Sequence, residues 1–447
     1  MRIKAHKMIS KKVLLLFFLV GLQMAAQGKK WTLEECVDYA MKNNITIKQS
    51  ELDLKTSSIE KMEAIGGFLP TINTNANYSV NTGASINPVT NQFQNQTFKS
   101  FSAGASSNFT LFNGLANWKV AQRAKLSRIA NGYRLDKMKD DIALSIANSY
   151  LQILLNKEQL KVQINQNKIT KENLKRTKDL IDAGVVPAGD IYELQATDAA
   201  QQQQIINTEN ALFISKLGLC QTLLLEHYDT FDISDEVIDL PPSNVTNETQ
   251  EAILAKARES VKEVKIALSN VDLAKKDLAI SRSSYLPTLT GFVGYNTRWS
   301  ESPIFNFIDQ LSLFDGTAVG LQLNVPILNG LATRGRVQRA KINEERATYQ
   351  LKQAELDLER NVYQAYNDVI NSRKAFEAAQ KAMESRMQAF NFSKERYNVG
   401  LQNAFDFSQA TLALENAQSE VIRTKYDYIF RTKILEFYFG IPLYKKQ

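Results

Sequence analysis

The sequence predicts a mixed α and transmembrane β fold, made of two duplicated halves that each run helix, strand, strand, helix. Three observations carry this prediction: self-similarity at a fixed offset, strands with two-residue alternation, and helical stretches too long for a globular domain. The chain has 447 residues, which is enough for two or three ordinary domains. The repeat therefore decides how the chain is divided.

A secretory signal peptide is predicted over residues 1–27. A basic start is followed by an apolar run over 13–22 and by small residues that end at Gln27. The apolar run is about half as long as a membrane-spanning helix, and no other stretch reaches about 18 apolar residues. Cys36 lies too far downstream for a lipoprotein anchor. We therefore expect an exported chain without a spanning helix.

Charge and reactive side chains argue against nucleic-acid binding and catalysis. The formal net charge is +7, but the leader supplies five positive charges and no negative ones, so the mature chain keeps only about +2. Cys36 and Cys220 lie in helical patterns, either as buried small side chains or as an optional disulfide. Outside the leader His227 is the one histidine, and no GxSxG, HExxH, P-loop or GxGxxG motif occurs. The sequence predicts no enzyme, no cofactor and no metal site.

The two halves repeat each other at an offset of about 216 residues. Matching positions are Phe68–Ile72 with Tyr285–Leu289, Asn113–Ala116 with Asn329–Ala332, Tyr150 with Tyr366, Gly184 with Gly400, and Asp190 with Asp406. Such self-similarity is typical of duplicated architecture. We divide the chain into a first repeat over 28–225, a connector over 226–249 and a second repeat over 250–447.

Four amphipathic strands are predicted, two in each repeat. They cover about 70–82, 98–112, 287–299 and 316–328. In the first strand Ile72 and Tyr78 share one parity, and Asn73 and Asn75 share the other. The polar parity is rich in Asn, Ser and Thr, with Arg298 as the main charged exception, which suits a hydrated lumen. A soluble antiparallel sheet with one wet face is the alternative. The loops between the strands are expected to be exposed to solvent.

The unpaired backbone groups at the edges of the predicted sheet indicate that several chains assemble. An open four-stranded sheet in a bilayer would leave edge N–H and C=O groups in hydrocarbon, at several kcal/mol for each unsatisfied group. Known barrels begin at about eight strands, so several chains must share one barrel. Three chains would supply about twelve strands, which predicts a homotrimer with a 12-stranded β-barrel.

The helical stretches are unusually long. Long helices are predicted over 115–182 and 331–399, and returning helices over 190–225 and 404–439. At about 1.5 Å per residue, the first of these is roughly 100 Å long. Gly184 and Gly400 can take the left-handed conformation that ends a helix. We expect the turns after them to form the distal rim of a tube.

The combined features resemble the TolC family of outer-membrane efflux proteins over essentially the whole mature chain. The features are the duplicated order of helices and strands, a Leu-Pro pair at the start of a strand, an Asn-Gly pair at the end of a strand, and a Gly-x5-Asp motif in each turn. These helix-strand junctions lie at Pro70, Asn113, Gly114, Pro287, Asn329 and Gly330. The resemblance implies a barrel continuous with a long periplasmic α-helical barrel, in the outer membrane of a Gram-negative bacterium. It also implies a periplasmic adaptor (membrane fusion) protein and an inner-membrane pump of RND, ABC or MFS type as partners.

The resemblance further implies a gate at the periplasmic aperture and an adaptor contact at the turns. The gate residues would be Asp190, Glu193, Tyr397 and Asp406, and the adaptor-contact rims Gly184, Val185, Val186, Gly400 and Leu401. Gln402 and Gln409 stand where some relatives have charged residues, so the gate network differs from theirs. Val185, Val186 and Leu401 would be exposed apolar side chains, which suggests a binding partner. The alternative role for each Asp is capping of a helix N-terminus.

The predicted function is a passive export channel of a tripartite efflux or type I secretion system. The alternative from another class is a secreted structural or adhesive protein with long helices and a soluble sheet. A wide hydrated lumen exerts little chemical selection, so the transported substrate is not readable from the sequence.

Overall fold

The computed structural model describes residues 30–86, 91–95, 97–226, 228–235, 244–301 and 305–441. The predicted signal peptide, His227 and residues 236–243 of the connector lie outside this part of the chain. The described residues form two compact units. The sheet unit holds residues 50–135 and 262–355, and the helical unit holds the described residues of 1–49, 136–261 and 356–447.

The elements follow one another in two similar series. The strands are β1 (Lys30–Trp31), β2 (Thr71–Asn81), β3 (Ala84–Ile86), β4 (Phe93–Asn95), β5 (Phe98–Asn113), β6 (Asp232–Ile233), β7 (Thr288–Ser300) and β8 (Gly316–Asn324). The α-helices are α1 (Leu33–Asn43), α2 (Ile45–Gly66), α3 (Ala116–Asp182), α4 (Asp190–Leu223), α5 (Gln250–Ser260), α6 (Lys262–Ser283), α7 (Phe307–Leu313), α8 (Ala332–Asn398) and α9 (Ala404–Phe439).

The main sheet has the order β2-β5-β7-β8, and all neighbouring strands are antiparallel. Its register places residues of the same type opposite one another: Tyr78 pairs with Phe101, which pairs with Trp299. The next row pairs Asn77 with Ser102 on the other face. One face is therefore mainly apolar and the other mainly polar across the four strands, as the alternation predicts, with Phe292 as an aromatic exception on the polar face. Among the described residues, the outer edges of β2 and β8 have no strand beside them.

The helix-strand junctions repeat in both halves. Gly114 and Leu115 have φ of +65° and +61°, and Gly330 and Leu331 have φ of +60° and +65°. Because the two residues before each long helix are left-handed, α3 and α8 begin one residue later than predicted. At Gly114 a side chain is also sterically excluded, since a Cβ would lie 2.7 Å from the carbonyl oxygen of Ser283.

The fourth strand is shorter than predicted. β8 ends at Asn324, whereas the alternation predicts a strand that continues to about residue 328. Pro326 explains the difference, because it has no N–H to donate to a ladder. Ile327 and Leu328 remain exposed in the segment that follows.

The loop between β7 and β8 contains a helix, α7, that the sequence pattern does not predict. Asn306 caps α7, and its side chain accepts the N–H of Asp309 at 2.8 Å. Gln310 is fully buried: its amide donates to the carbonyl oxygen of Ser300 at 2.9 Å, and its oxygen accepts the N–H of Ser300 at 3.0 Å. Phe307 packs against Phe101 and Trp299. The described part of this loop is therefore attached to the sheet through Gln310 and Phe307, while most of its residues are exposed to solvent, as predicted.

The core of the helical unit includes part of the connector. Phe231 and Ile233 are buried in a cluster with α1, α3, α4 and α9, and β6 pairs in parallel with β1. Lys157 pairs with Asp232 and Asp235 at 2.7 Å each. The connector is thus more than a linker, because a parallel strand pair and ion pairs attach it to the core. Cys36 and Cys220 lie in this same cluster as fully buried free thiols.

The long helices α3 and α8 each run for 67 residues without a break. At about 1.5 Å per residue this corresponds to roughly 100 Å. Within the described residues, none of the helices combines the length and the apolar character that membrane crossing requires.

Candidate functional site

Two helical hairpins meet in the helical unit, where α3 turns into α4 and α8 turns into α9. Gly184 and Gly400 have φ of +71° and +73°. In each turn, the N–H of the residue after the glycine donates to a carbonyl oxygen of the last helical turn at 2.9 Å. This left-handed termination is the usual way in which a glycine ends a helix. A methyl group of Val185 lies 3.6 Å from where a Cβ of Gly400 would be, so the two turns are neighbours.

The apolar surface at these turns is smaller than predicted. Val185 and Leu401 are 54% and 69% exposed, but Val186 is only 9% exposed. The expectation that Val186 is an exposed rim residue is therefore wrong. The chain already turns back towards α4 at this point, and the N–H of Asp190 donates to the carbonyl oxygen of Pro187 at 3.1 Å.

Tyr397 joins the two hairpins from inside. It is 2% exposed, and its hydroxyl lies 2.7 Å from the hydroxyl of Thr177. Thr177 donates its proton to the carbonyl oxygen of Asn173, so the Tyr397 hydroxyl is the donor of this bond. Burial raises the pKa of Tyr397, and the negative charge of Asp190 adds to that increase against the opposing effect of the Thr177 bond.

An aromatic stack surrounds this hydrogen bond. The rings of Tyr397 and Phe407 are stacked, with centroids 4.8 Å apart and planes 5° apart. The ring of Phe390 also stacks against Phe407, with centroids 5.9 Å apart. Leu194, Ala404 and Leu414 are buried in the same cluster. Residues of α4, α8 and α9 thus form one small core behind the turns.

Further polar contacts join the hairpins along their length. The carboxylate of Asp190 accepts the N–H of Ala404 at 3.3 Å, which ties the start of α4 to the start of α9. The hydroxyls of Thr197 and Ser408 are 2.8 Å apart and buried. One step further, Gln201 donates its amide to the carboxyl group of Glu415 at 3.0 Å. The two hairpins therefore share a buried polar seam, here called the hairpin seam (Thr177, Asp190, Thr197, Gln201, Tyr397, Ala404, Ser408 and Glu415).

Glu415 makes the stability of the hairpin seam depend on pH. Burial raises its pKa above the ordinary value of 4.5, against the opposing effect of the Gln201 bond. A raised pKa in the folded state means that the protonated form stabilises the fold and that this contribution is lost as pH rises through the folded-state pKa. The ionised form of Glu415 therefore destabilises the seam relative to the protonated form.

We expect Glu415→Gln to raise the thermal unfolding midpoint at pH 7, because glutamine keeps an oxygen for Gln201 without a buried charge. The gain should shrink as the pH approaches 4.5, because the raised pKa of Glu415 makes the protonated form predominate there in the parent chain. Circular dichroism at both pH values checks this. The exposed Glu209 on α4 gives the control Glu209→Gln, and an equal gain from the control would contradict the prediction.

The other two predicted gate residues have different surroundings. Asp406 is exposed, while Glu193 is half-buried in the first turn of α4. Capping, the alternative role for Asp406, is contradicted, because Asn403 is the N-cap of α9 and its side chain accepts the N–H of Asp406 at 2.8 Å. Asp190 is not the cap of its own helix either, since Gly189 holds that position.

Most of the hairpin seam is absent from the site residues predicted from the sequence, which include only Asp190 and Tyr397 of its members. Thr177, Thr197, Gln201, Ser408 and Glu415 carry no motif, and their partners lie more than 200 residues away in the chain. The sequence contains only a weak signal for these contacts. A Thr, Ser or Gln recurs every one or two turns on the faces of α4 and α9 that also carry small residues.

Comparisons with known proteins agree with this architecture. The sequence profile of the family described as "Outer membrane efflux protein" matches residues 37–223 and 253–439. The two matched segments lie within the two predicted repeats, and residues 224–252 between them include the whole connector.

Individual relatives are distant but nearly full-length. The chain is 23% identical to "Proteases secretion protein PrtF" of Dickeya chrysanthemi over 433 residues, which cover 94% of this chain and 90% of that protein. It is 22% identical to "Outer membrane protein TolC" of Escherichia coli K12, over 93% of this chain and 84% of that protein. The crystal structure of the outer membrane protein VceC from Vibrio cholerae superposes with a TM-score of 0.75 at 15% identity, over 91% of this chain and 96% of that one.

Proposed function

The chain belongs to the outer membrane efflux protein family, and from that membership we propose that it is the outer-membrane channel of an export system. The family is located in the outer membrane, with a large helical part on the periplasmic side. Its fold is that of a channel, and we propose that the chain carries no catalytic activity. Substrates would be driven through it by a separate pump.

The observation that carries the proposal is the four-stranded sheet, which has one exposed apolar face and, among the described residues, no strand beside either outer edge. From Leu289 to Trp299 the apolar parity of β7 spans ten residue steps, or about 33 Å of strand. At a tilt of about 40° this gives a band about 25 Å tall, which matches outer-membrane barrels. The edges of β2 and β8 would be costly in lipid unless another copy pairs with them.

Helices beside both edges support assembly from several copies. α2 precedes β2 and exposes Leu52 and Ile59, which are seven residues apart. α8 follows β8 and exposes Ile342 and Tyr349, also seven apart. Apolar residues at heptad spacing are typical of a helix-helix seam. Three copies would supply twelve strands, so the proposed assembly is a closed homotrimer.

The hairpin seam would hold the periplasmic aperture closed, with Asp190, Glu193, Tyr397 and Asp406 near the opening. Three-fold symmetry would convert Asp406 into a ring of like charges in a narrow passage, which favours cations and repels itself. Val185 and Leu401 would contact a periplasmic adaptor, which in turn would connect the channel to an inner-membrane pump. The substrate class stays open, although the printed name of PrtF refers to the secretion of proteases.

The direct test of the channel function is electrical. Purified mature chain inserted into planar lipid bilayers is expected to give discrete conductance steps, because a closed barrel leaves a water-filled lumen. A preparation that inserts into lipid without any conductance would contradict the proposed function.

Tyr397→Phe is expected to increase the fraction of time that the channel is open. It removes the hydroxyl that donates to Thr177 and keeps the aromatic stack. The loss of one such bond costs about 1 kcal/mol, or about fivefold in the closed-to-open ratio for each chain. Single-channel recording checks this, with Tyr192→Phe as the control because Tyr192 is 71% exposed on α4. An equal effect of the two substitutions would contradict the role of Tyr397.

Asp406→Asn is expected to lower the preference for cations, because it removes one charge per chain from the proposed ring. Reversal potentials measured in a salt gradient check this. Glu377→Gln serves as the control, since Glu377 is an exposed carboxylate in the interior of α8. Unchanged selectivity in Asp406→Asn would count against its place at the aperture.

A further inference from the structure

The two β-hairpins of the sheet have the same register once the sequence repeat is taken into account. The repeat relates β2 to β7 at an offset of 217, from Pro70 to Pro287, and β5 to β8 at an offset of 216, from Asn113 to Asn329. In the first hairpin Thr71 pairs with Asn108. The offsets convert this pair into Thr288 with Asn324, which is the pair observed in the second hairpin.

The agreement holds along the whole hairpin. Tyr78 opposite Phe101 in the first hairpin becomes Tyr295 opposite Thr317 in the second, again as observed. The internal repeat is therefore a geometric repeat of the strand ladder as well as a repeat of sequence motifs. It can be extended to strand pairs that a single chain cannot form.

One such pair joins the two hairpins. β5 lies beside β7, with Ala103 opposite Thr297. In a closed ring of copies, the equivalent neighbours are β8 of one chain and β2 of the next. The same offsets convert Ala103 and Thr297 into Val319 of one chain and Val80 of the next.

We propose that β8 pairs antiparallel with β2 of the next chain in this register. This pairing rests on the closed assembly proposed above. On the apolar face the pairs are Val319 with Val80, Leu321 with Tyr78, and Leu323 with Ala76. On the polar face they are Ala318 with Asn81, Gly320 with Ser79, Gln322 with Asn77, and Asn324 with Asn75. The surface recognised by each edge is thus the opposite edge of a second copy.

The chemistry of these pairs is independent of the sequence offsets and supports the same register. Val319, Leu321 and Leu323 are 74%, 67% and 64% exposed, and Tyr78 and Val80 are 57% and 55% exposed. The register places these apolar side chains opposite apolar ones, and Gln322 opposite Asn77. A slip by one residue would place apolar side chains opposite polar ones on both faces. A slip by two residues keeps the faces, so the experiment must separate these cases.

Cysteine pairs oxidised with copper phenanthroline in outer-membrane preparations test the register. Val319→Cys combined with Val80→Cys is expected to give disulfide-linked dimers and trimers on non-reducing gels, and nothing larger. Native Cys36 and Cys220 are fully buried and do not compete. The slipped pairs, Val319→Cys with Tyr78→Cys and Val319→Cys with Thr82→Cys, are expected to give at least about fivefold less product, because diagonal neighbours lie about 7–8 Å apart.

The structure itself provides the positive control. Ala103→Cys with Thr297→Cys is the equivalent pair within one chain, so it should oxidise without any increase in mass. If this control oxidises and a slipped pair exceeds the Val319–Val80 pair, the proposed register is wrong. If no pair links chains although the variants still conduct, the β8–β2 contact is wrong and the channel function stands. Loss of conductance in the unmodified chain would instead contradict the proposed function.

Discussion

Replacement of Leu321 by arginine is expected to abolish the assembled form in the outer membrane. Leu321 lies in the middle of β8 on the apolar face, opposite Gly291 of β7, and is 67% exposed. In a barrel wall this side chain would face lipid, where an arginine at the bilayer midplane costs about 2–4 kcal/mol per chain. A closed assembly of three chains carries this cost three times.

The adjacent residue provides the matched control. Gln322 lies on the polar face, opposite Thr290, and would face the lumen. Gln322→Arg is therefore expected to assemble normally and to change only the conductance. Heat-sensitive oligomers on gels of outer-membrane extracts measure both variants. Normal assembly of Leu321→Arg together with failure of Gln322→Arg would mean that the faces of the sheet are assigned the wrong way round.

Phe407→Ala is expected to open the hairpin seam permanently. Phe407 is 1% exposed and stacks against both Tyr397 and Phe390. Truncation of a buried Phe to Ala typically costs about 3–5 kcal/mol, and the Tyr397–Thr177 bond would lose its packing support. We expect a high and unregulated leak conductance in bilayers.

Phe405→Ala is the control for this variant, because Phe405 lies on the same helix two residues away and is 55% exposed. Its effect on unfolding and on leak is expected to be small. If Phe407→Ala lowers the unfolding temperature while the leak stays at the level of Phe405→Ala, the cluster is structural only and does not hold the aperture.

Local patterns predict the long helices and the four strands of the main sheet. The alternation of Ile72, Asn73, Thr74 and their successors predicts strands because side chains in a strand point to opposite faces with a period of two. The unbroken helical pattern after Gly114 predicts α3 because no proline interrupts it. The predicted length of β8 is wrong because Pro326 ends the strand although the alternation of apolar and polar residues continues.

Features that depend on distant residues were not predictable in the same way. α7 depends on the hydrogen bonds that the side chain of Gln310 makes with the backbone of Ser300. β6 depends on its pairing with β1, which lies 202 residues away in the sequence. Asn306 before an apolar run was the one local signal for α7, since Asn is a preferred helix cap.

In the candidate site, too, some residues are predictable from the sequence and others depend on distant contacts. Tyr397 and Asp190 are predicted as gate residues because the resemblance to the family implies a gate beside the repeated turns. The bond of Tyr397 to Thr177 spans 220 residues and depends on how the hairpins pack, which no local pattern encodes. Val186 was misplaced for a related reason, because the path of the turn decides its burial.

The most direct test of the account is the number of chains in the smallest conducting particle. Native mass spectrometry of the mature chain in lipid nanodiscs, combined with bilayer recording of the same fraction, measures it. We expect a particle of three chains that conducts, because only neighbouring copies can satisfy the free edges of β2 and β8 in lipid. A stable single-chain protein that stays in solution without detergent would contradict the account.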